Sequence, residues 1–266
     1  MPQARLSDTW ERGDPYEQYV GRWSRRVAPL FLSWLQAGPG LRWVDVGCGT
    51  GALSAAILDI GSPASVTGIE PSEGFLRTAQ SALAGRATFA QGTAAAIPLA
   101  DGTADVVVSG LVLNFIPDVD AALAEMSRVL RNDGVLAGYV WDYSDKMEFI
   151  RHFWDLVVEL DPSCASLHEG ARFPLCRTKA LLQALRSAGL RAPGVTAIDV
   201  PTVFSGFDDY WSPFLGGQGP APAYAMSLDA DARARLQDRH RERLRFASDG
   251  SLALVARAWG FRASKA

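Results

Sequence analysis

The sequence predicts an α/β fold built on a doubly wound, Rossmann-like, mostly parallel sheet. Three observations predict it. Short apolar runs alternate with stretches of helical periodicity between residues 41 and 142. A cluster of glycines separates the first apolar run from the first helical stretch. The 266 residues are 48% hydrophobic and 21% charged, which fits a globular chain with a sizeable core and excludes wholesale disorder. Strands alternating with helices of this length form right-handed βαβ units, and such sheets bind ligands outside the carboxyl ends of their strands.

Leu41–Val46 reads as the first strand and ends in Gly47-Cys48-Gly49-Thr50-Gly51. Ala52–Ile60 follows as a helix stopped by Gly61. Ser65–Glu70 is a second strand, and Ser72 caps a helix running to Ala84. Ala87–Gln91 is a third strand and Ala104–Ser109 a fourth. Asp118 caps a helix to Leu130, residues 131–134 form a turn, and Val135–Trp141 is a fifth strand. Before this core, Tyr16–Leu35 reads as an aromatic, basic helix. After it come a helix (Lys146–Leu160), a loop (Asp161–Pro174), a helix (Thr178–Ala188) and a strand near Val195–Val200. A Gly/Pro/aromatic loop (Phe204–Tyr224), a charged helix (Asp229–Arg245) and a last strand (Ser251–Trp259) complete the chain. No internal repeat or composition break divides it. The expectation is one domain over residues 1–266: an N-terminal helical cover (1–40), a ligand-binding half (41–142) and a second half (143–266) with a substrate-side loop at 204–224.

Composition narrows the function. The net charge of −3 argues against a protein held on nucleic acid by general charge. Among the 26 basic residues only Lys146, Lys179 and Lys265 are lysines, so few amines are on hand for Schiff-base or general-base work. Cys48, Cys164 and Cys176 form no CxxC pair, which argues against a disulfide framework or a Cys-only zinc site and fits a reducing cytoplasm. The N-terminus lacks an apolar signal core, and no run approaches the roughly 18 apolar residues of a membrane span.

A glycine turn between strand and helix lets a ligand approach backbone N–H groups at the helix N-terminus. Glu70, at the end of the next strand, can accept both ribose hydroxyls of an adenosine. Residues 47–52 also fit the G-x-G-x-x-A pattern of dinucleotide sites. Asp45 discriminates: a carboxylate two residues before the first glycine repels a pyrophosphate and favours a ligand carrying an ammonium and a sulfonium. Capping of the loop is the other role open to Asp45.

Trp43-Val44-Asp45-Val46-Gly47-Cys48-Gly49-Thr50-Gly51 resembles the first motif of class I S-adenosylmethionine (SAM)-dependent methyltransferases. Val66–Ser72 resembles their second-strand segment, Gln91–Leu99 the adenine-lining segment, Val106–Pro117 the fourth strand and its loop, and Val129–Leu136 the turn into the fifth strand. The resemblance covers about residues 40–142 and is nearest to the small-molecule branch that includes ubiquinone/menaquinone-type enzymes. It implies a seven-stranded, mostly parallel sheet with an antiparallel C-terminal strand, and SAM as cofactor with S-adenosylhomocysteine as product. Asp45, Gly47 and Gly49 would surround the methionine moiety, Glu70 would bind the ribose, and Pro71, Gly92, Thr93 and Ala94 would lie on the adenine side, with Cys48, and Ser109 and Gly110 at the end of the fourth strand, as further cofactor-binding candidates. The family often has an acid where this chain has Thr93. Residues 16–24 resemble the opening helix of these enzymes, which makes Tyr19 and Arg22 candidates for the SAM carboxylate or, equally, parts of an amphipathic docking helix.

Methyl transfer is an in-line displacement with a neutral leaving group, so positioning can carry catalysis, and a base is needed only if the acceptor loses a proton. Candidate bases are His152, His168, Asp142 and Tyr143, each of which also has an ordinary reading as a surface, loop or strand-end residue. His240 lies in the charged helix, whose pairs Asp229/Arg233 and Asp231/Arg235 suit a solvated face rather than nucleic acid. Asn114 and Phe115 are candidate walls of the acceptor pocket, as are Tyr210 and Trp211 in a loop whose aromatics serve either a ligand or the core. The resulting expectation is a cytoplasmic SAM-dependent methyltransferase of a small, partly apolar molecule, without metal, nucleic acid or membrane partner. A SAM- or nucleoside-binding protein without transferase activity is the alternative, and Asp45 disfavours a nicotinamide oxidoreductase.

Overall fold

The computed structural model describes residues 21–216 and 219–266. Its elements begin with helix α1 (Arg22–Leu35), strand β1 (Arg42–Val46), α2 (Ala52–Ile60), β2 (Ser65–Glu70), α3 (Glu73–Ala82), β3 (Thr88–Gln91) and β4 (Ala104–Gly110). They continue with α4 (Val119–Val129), β5 (Leu130–Trp141), α5 (Glu148–Leu160), α6 (Glu169–Arg172), α7 (Thr178–Ser187) and β6 (Arg191–Phe204). The last are α8 (Phe207–Trp211), α9 (Pro220–Ser227), α10 (Ala230–Arg243) and β7 (Leu252–Ser264). Backbone contacts divide the chain into two compact units. One comprises Arg25–Trp141, Leu175–Ile198 and Ala258–Ala266; the described part of the other comprises residues 21–24, 142–174 and 199–257.

The first unit is organised by a seven-stranded sheet of order β3-β2-β1-β4-β5-β7-β6. β1 pairs in parallel with β2 and β4, β2 with β3, and β4 with β5. β7 runs antiparallel to β5, from Val135↔Ser264 to Trp141↔Ala258. The expected α/β architecture and antiparallel last strand are therefore present. The strand order reverses between β1 and β4, so both strands point their carboxyl ends at the crevice where doubly wound sheets take ligands. Val46, Val107 and Leu136 of the strands pack with Leu123 and Met126 of α4 and Leu181 of α7 in one fully buried core. The two expected caps form: Ser72 Oγ accepts from Phe75 N at 3.4 Å and Asp118 Oδ1 from Ala121 N at 2.9 Å.

The expected turn at residues 131–134 is a correction. Those residues are the bulged start of β5, where Leu130 pairs with Ala104 before the register shifts to Val106↔Val135. Asp133, at φ 58°, absorbs the irregularity.

The second unit corrects the loop reading of residues 204–224. Phe207, Tyr210, Trp211 and Phe214 are spaced i, i+3, i+4 and i+7, a helical stripe, and they fold into α8 and a 3₁₀ turn (Ser212–Leu215), followed by α9. Their rings build an aromatic core with α5: Phe153 lies 4.5 Å from Phe214 and 5.6 Å from His240, and Phe149 lies 4.6 Å from Phe214. The expected loop at residues 161–174 likewise carries a 3₁₀ turn (Pro162–Leu167) and α6.

His240 is fully buried on the aromatic side of α10 rather than on a solvated face, and burial pushes its imidazole down to about 3, so it is neutral. The ion pairs formed by α10 differ from those expected. Asp229 caps Ala232 N, while Arg239 meets Glu242, Arg241 meets Asp208 and Arg243 meets Glu159. No described helix is long and apolar enough to cross a membrane.

Gly138 of β5 tests how tightly the sheet is packed. A Cβ there would collide with Ser109 O and lie 2.6 Å from Phe261 Cζ. Gly138→Ala should cost about 3 kcal/mol, the upper end of overpacking penalties, read as a lower urea midpoint at unchanged m-value.

Candidate functional site

Asp45 is the fourth residue of β1 and is 1% exposed. Its Oδ2 accepts from Ser54 Oγ of α2 at 2.7 Å, while Oδ1 is buried without a partner. Burial pushes the carboxyl up to about 7. The Ser54 hydrogen bonds pull the other way, and the charge of Glu70 raises it further. A buried acid with one unsatisfied oxygen is costly in isolation and is suited to a partner that brings a positive charge.

The glycine turn leaves β1 under tight control from β2. Gly47 N and Cys48 N both donate to Ile69 O, at 2.8 and 3.1 Å. Gly47 has φ +73°, and a Cβ there would stand 2.6 Å from Val112 Cγ1, so only glycine fits. Gly49 has φ +56°, and a Cβ there would meet nothing within 4 Å: the turn is open on that side. Gly49 N donates to Glu70 Oε2 at 3.0 Å, and Ser72 N donates to Glu70 Oε1 at 3.0 Å. The Glu70 carboxylate is thus aimed by two backbone N–H groups, and each oxygen keeps a lone pair for a ligand. Cys48 is buried, and burial followed by the charges of Asp45 and Glu70 pushes its thiol up, which makes it a neutral packing group rather than a nucleophile.

Around this turn, Gly92 N donates to Glu70 O at 3.3 Å, and residues 93–96 form a short turn in which Ala96 N donates to Thr93 O at 3.1 Å. Thr93 is exposed, Ala94 is half-buried, and the exposed Pro71 accepts from Gln91 Nε2 through its carbonyl at 3.1 Å. Ser109, at the end of β4, is 1% exposed with an unpartnered hydroxyl. Gly110 leaves room for the Tyr139 hydroxyl, which a Cβ at that position would meet at 2.8 Å. Leu111 then adopts φ 62°, a strained conformation for leucine, with its N–H donating to Tyr139 O at 2.8 Å. Asn114 follows in a 3₁₀ turn (Leu113–Phe115) with a buried, unpartnered Oδ1, and Phe115 is half-buried beside it. The carboxyl ends of β1, β2 and β4 and the segment after β4 therefore bring together Asp45, Gly47, Gly49, Glu70, Ser109, Gly110 and Asn114.

Sequence reasoning missed Ser54, Tyr139 and Leu111. Ser54 lies in the first turn after the glycines, where a hydroxyl can turn back to the strand end, and that position was a readable signal. Tyr139 and Leu111 carry none, because the pairing of β4 with β5 brings them together.

The remaining candidates lie in the second unit. Arg22 donates to Asp209 Oδ1 at 2.9 Å and stacks 4.4 Å from the Trp23 ring and 4.8 Å from the Phe204 ring. Asp142 is 2% exposed, and its Oδ1 accepts from Ser144 Oγ and Asp145 N, so it organises the turn before α5. Tyr143 packs against Phe173 with ring centroids 5.5 Å apart. His152 is half-buried, and burial lowers its pKa. His168 Nδ1 accepts from Gly170 N at 2.9 Å, and its Nε2 lies 3.5 Å from Asp155 Oδ1. Tyr210 and Trp211 are buried in the aromatic core. Tyr19 lies outside the described residues. Among the described residues no cluster of His, Cys, Asp and Glu could hold a metal ion.

Several known proteins are similar to this chain. Residues 44–138 match a family model described as a methyltransferase domain. The chain is 30% identical over 142 residues to the demethylmenaquinone methyltransferase of Desulfitobacterium hafniense, covering 51% of this chain and 56% of that protein. It is 38% identical over 143 residues to the malonyl-[acyl-carrier protein] O-methyltransferase of Geobacter sulfurreducens, covering 52% and 53%. The matched segment thus spans about half the length of these curated relatives. Among solved structures, the YcgJ protein of Bacillus subtilis superposes with a TM-score of 0.60 at 18% identity, over 90% of this chain and 98% of that one. Phosphoethanolamine N-methyltransferase 2 of Haemonchus contortus, solved with S-adenosyl-L-methionine, gives 0.58 at 16% identity, over 95% and 56%. At these identities the structural likeness shows the fold.

The state of Asp45 makes a testable statement about the ligand-free protein. Its folded pKa of about 7 stands above the unfolded value of about 3.9. The acid therefore contributes stability that is fully present below about pH 4 and is lost as pH rises through 7. Asp45→Asn cannot ionise. Its melting temperature relative to wild type should rise between pH 5 and pH 8, and a constant difference across that range would contradict a buried, protonated Asp45.

Proposed function

We propose that this chain, whose residues 44–138 match a family model described as a methyltransferase domain, is a class I SAM-dependent methyltransferase that transfers the sulfonium methyl group of SAM to a nucleophile on a small, partly apolar molecule. The observation that carries this reading is the joined pair of acids at the switch point: Glu70, aimed by Gly49 N and Ser72 N, and the buried Asp45 with its open Oδ1.

The residues present fit the cofactor. The free lone pairs of Glu70 suit the two hydroxyls of a ribose, and the unsatisfied Asp45 oxygen suits an ammonium group or the positive charge beside it. The open side of Gly49 admits a ligand against backbone, where any Cβ would intrude. Pro71, Gly92, Thr93 and Ala94 are the proposed adenine side, and Ser109, Gly110 and Asn114 flank the methionine end. When bound, SAM supplies a methyl group already activated by its sulfonium, with a neutral thioether as leaving group. The chain's own contribution is to bind, orient and exclude water, so the gain comes from holding the acceptor in line. The names of the two curated relatives support acceptors of the quinone-precursor or acyl-thioester kind. The three cysteines, free and buried, support a reducing compartment.

Glu70→Ala should weaken S-adenosylhomocysteine binding by about 1.5–3 kcal/mol, the cost of losing hydrogen bonds to a charged acceptor. Calorimetry on the folded variant checks this, and unchanged affinity would remove Glu70 from the site. The decisive assay offers methyl-labelled SAM with a panel headed by a demethylmenaquinone and a malonyl thioester. Methyl transfer to one member is the expected outcome. S-adenosylhomocysteine binding without transfer to any of them would point to a binding protein, and binding of NAD in its place would end the reading.

A further inference from the structure

The chain between β3 and β4, residues 92–103, forms no helix or extended strand. Its backbone polar groups therefore need partners from elsewhere. Two side chains of α4 provide them. Glu125 Oε2 accepts from Ile97 N at 3.0 Å. Arg128 Nη2 donates to Ile97 O at 2.9 Å, and its Nη1 donates to Leu99 O at 2.8 Å and to Asp101 Oδ1 at 2.7 Å. Glu125 and Arg128 stand three residues apart on one face of α4 and hold each other. Arg128 Nε donates to Glu125 Oε1 at 2.7 Å, and Nη2 to Oε2 at 2.9 Å. The Arg128 hydrogen bond, and then the Ile97 N–H, hold the Glu125 carboxyl down to about 2, so it is charged at neutral pH. One planar guanidinium thus serves two carbonyls and two carboxylates, which the point charge of a lysine cannot do.

This clamp bears on the turn that precedes it. Ile97 is 3% exposed and belongs to the same buried core as Leu123 and Met126 of α4. Pro98 lies against Gly92, where a Cβ would stand 2.7 Å from Pro98 Cδ and 3.3 Å from Ala96 O. Residues 92–96 are therefore closed between the end of β3 and the clamped Ile97. We propose that Glu125 and Arg128 are positioning residues for the cofactor: by fixing Ile97 and Leu99 they set the Gly92–Ala96 turn against the adenine end, and touch no ligand themselves. The proposal rests on the SAM reading above and on the adenine side given there to Thr93 and Ala94.

Two probes test it on the full chain: S-adenosylhomocysteine by calorimetry, and S-ribosylhomocysteine, the same molecule without its adenine, by ligand-observed NMR titration. Arg128→Ala should weaken S-adenosylhomocysteine at least tenfold and change S-ribosylhomocysteine by less than twofold. Arg128→Lys, which keeps the charge and loses the fork, should fall between wild type and the alanine variant for S-adenosylhomocysteine alone. Glu125→Ala should act in the same direction, and it carries the test should Arg128→Ala fail to melt cooperatively. Unchanged S-adenosylhomocysteine affinity in both alanine variants would overturn the proposal and leave the SAM reading standing. An equal loss for the two probes would also overturn it, since the clamp would then serve stability and not the adenine end. A wild-type chain that binds neither probe would end the SAM reading and this proposal together.

Discussion

Everything at the candidate site hangs on the tie between the glycine turn and the end of β2. Gly47 N and Cys48 N share the Ile69 carbonyl, and Gly49 N takes one oxygen of Glu70. These bonds exist because β1 and β2 lie parallel and in register, Val46 opposite Ile69, so their carboxyl ends emerge side by side. The turn can follow that path only through positive φ angles at Gly47, Gly49 and Gly51. Backbone donors that would otherwise point into solvent are spent on aiming a carboxylate, and the carboxylate in turn holds the turn in place.

The electrostatics follow from the same placement. Two acids at neighbouring strand ends cannot both sit charged and dry at low cost, and the structure divides the burden unequally. Glu70 is stabilised by two N–H groups. Asp45, with one hydroxyl partner and one open oxygen, has its carboxyl raised toward neutrality. A positively charged group set against Asp45 Oδ1 would satisfy that buried oxygen.

The second unit solves a different problem, the burial of many large rings around α5. Phe149, Phe153, Phe204, Tyr210 and Phe214 pack edge-on or offset at centroid separations of 4.5–5.6 Å, and His240 joins them as a neutral ring. Ion pairs such as Arg243–Glu159 and Arg257–Asp199 lie outside this core, half in water, where they contribute little stability. The sequence reading treated Phe204–Tyr224 as a Gly/Pro/aromatic loop because its rings stand among turn formers. The spacing of Phe207, Tyr210, Trp211 and Phe214 already carried the helical period, a signal that the turn formers masked.

By itself the sequence determined the alternating elements, the caps at Ser72 and Asp118, the glycine turn and the two acids beside it. These are local matters: hydrophobic period, φ preference and short-range hydrogen bonding are written within a dozen residues. Only the tertiary structure decided that Ser54 holds Asp45, that Tyr139 fills the space over Gly110, and that residues 131–134 become the bulged start of β5. It also decided that His240 faces an aromatic core while its helix neighbours face water. Those outcomes depend on which distant segments pair and what remains to be filled between them. Such pairing is settled by packing the whole chain at once, and no window of the sequence contains it.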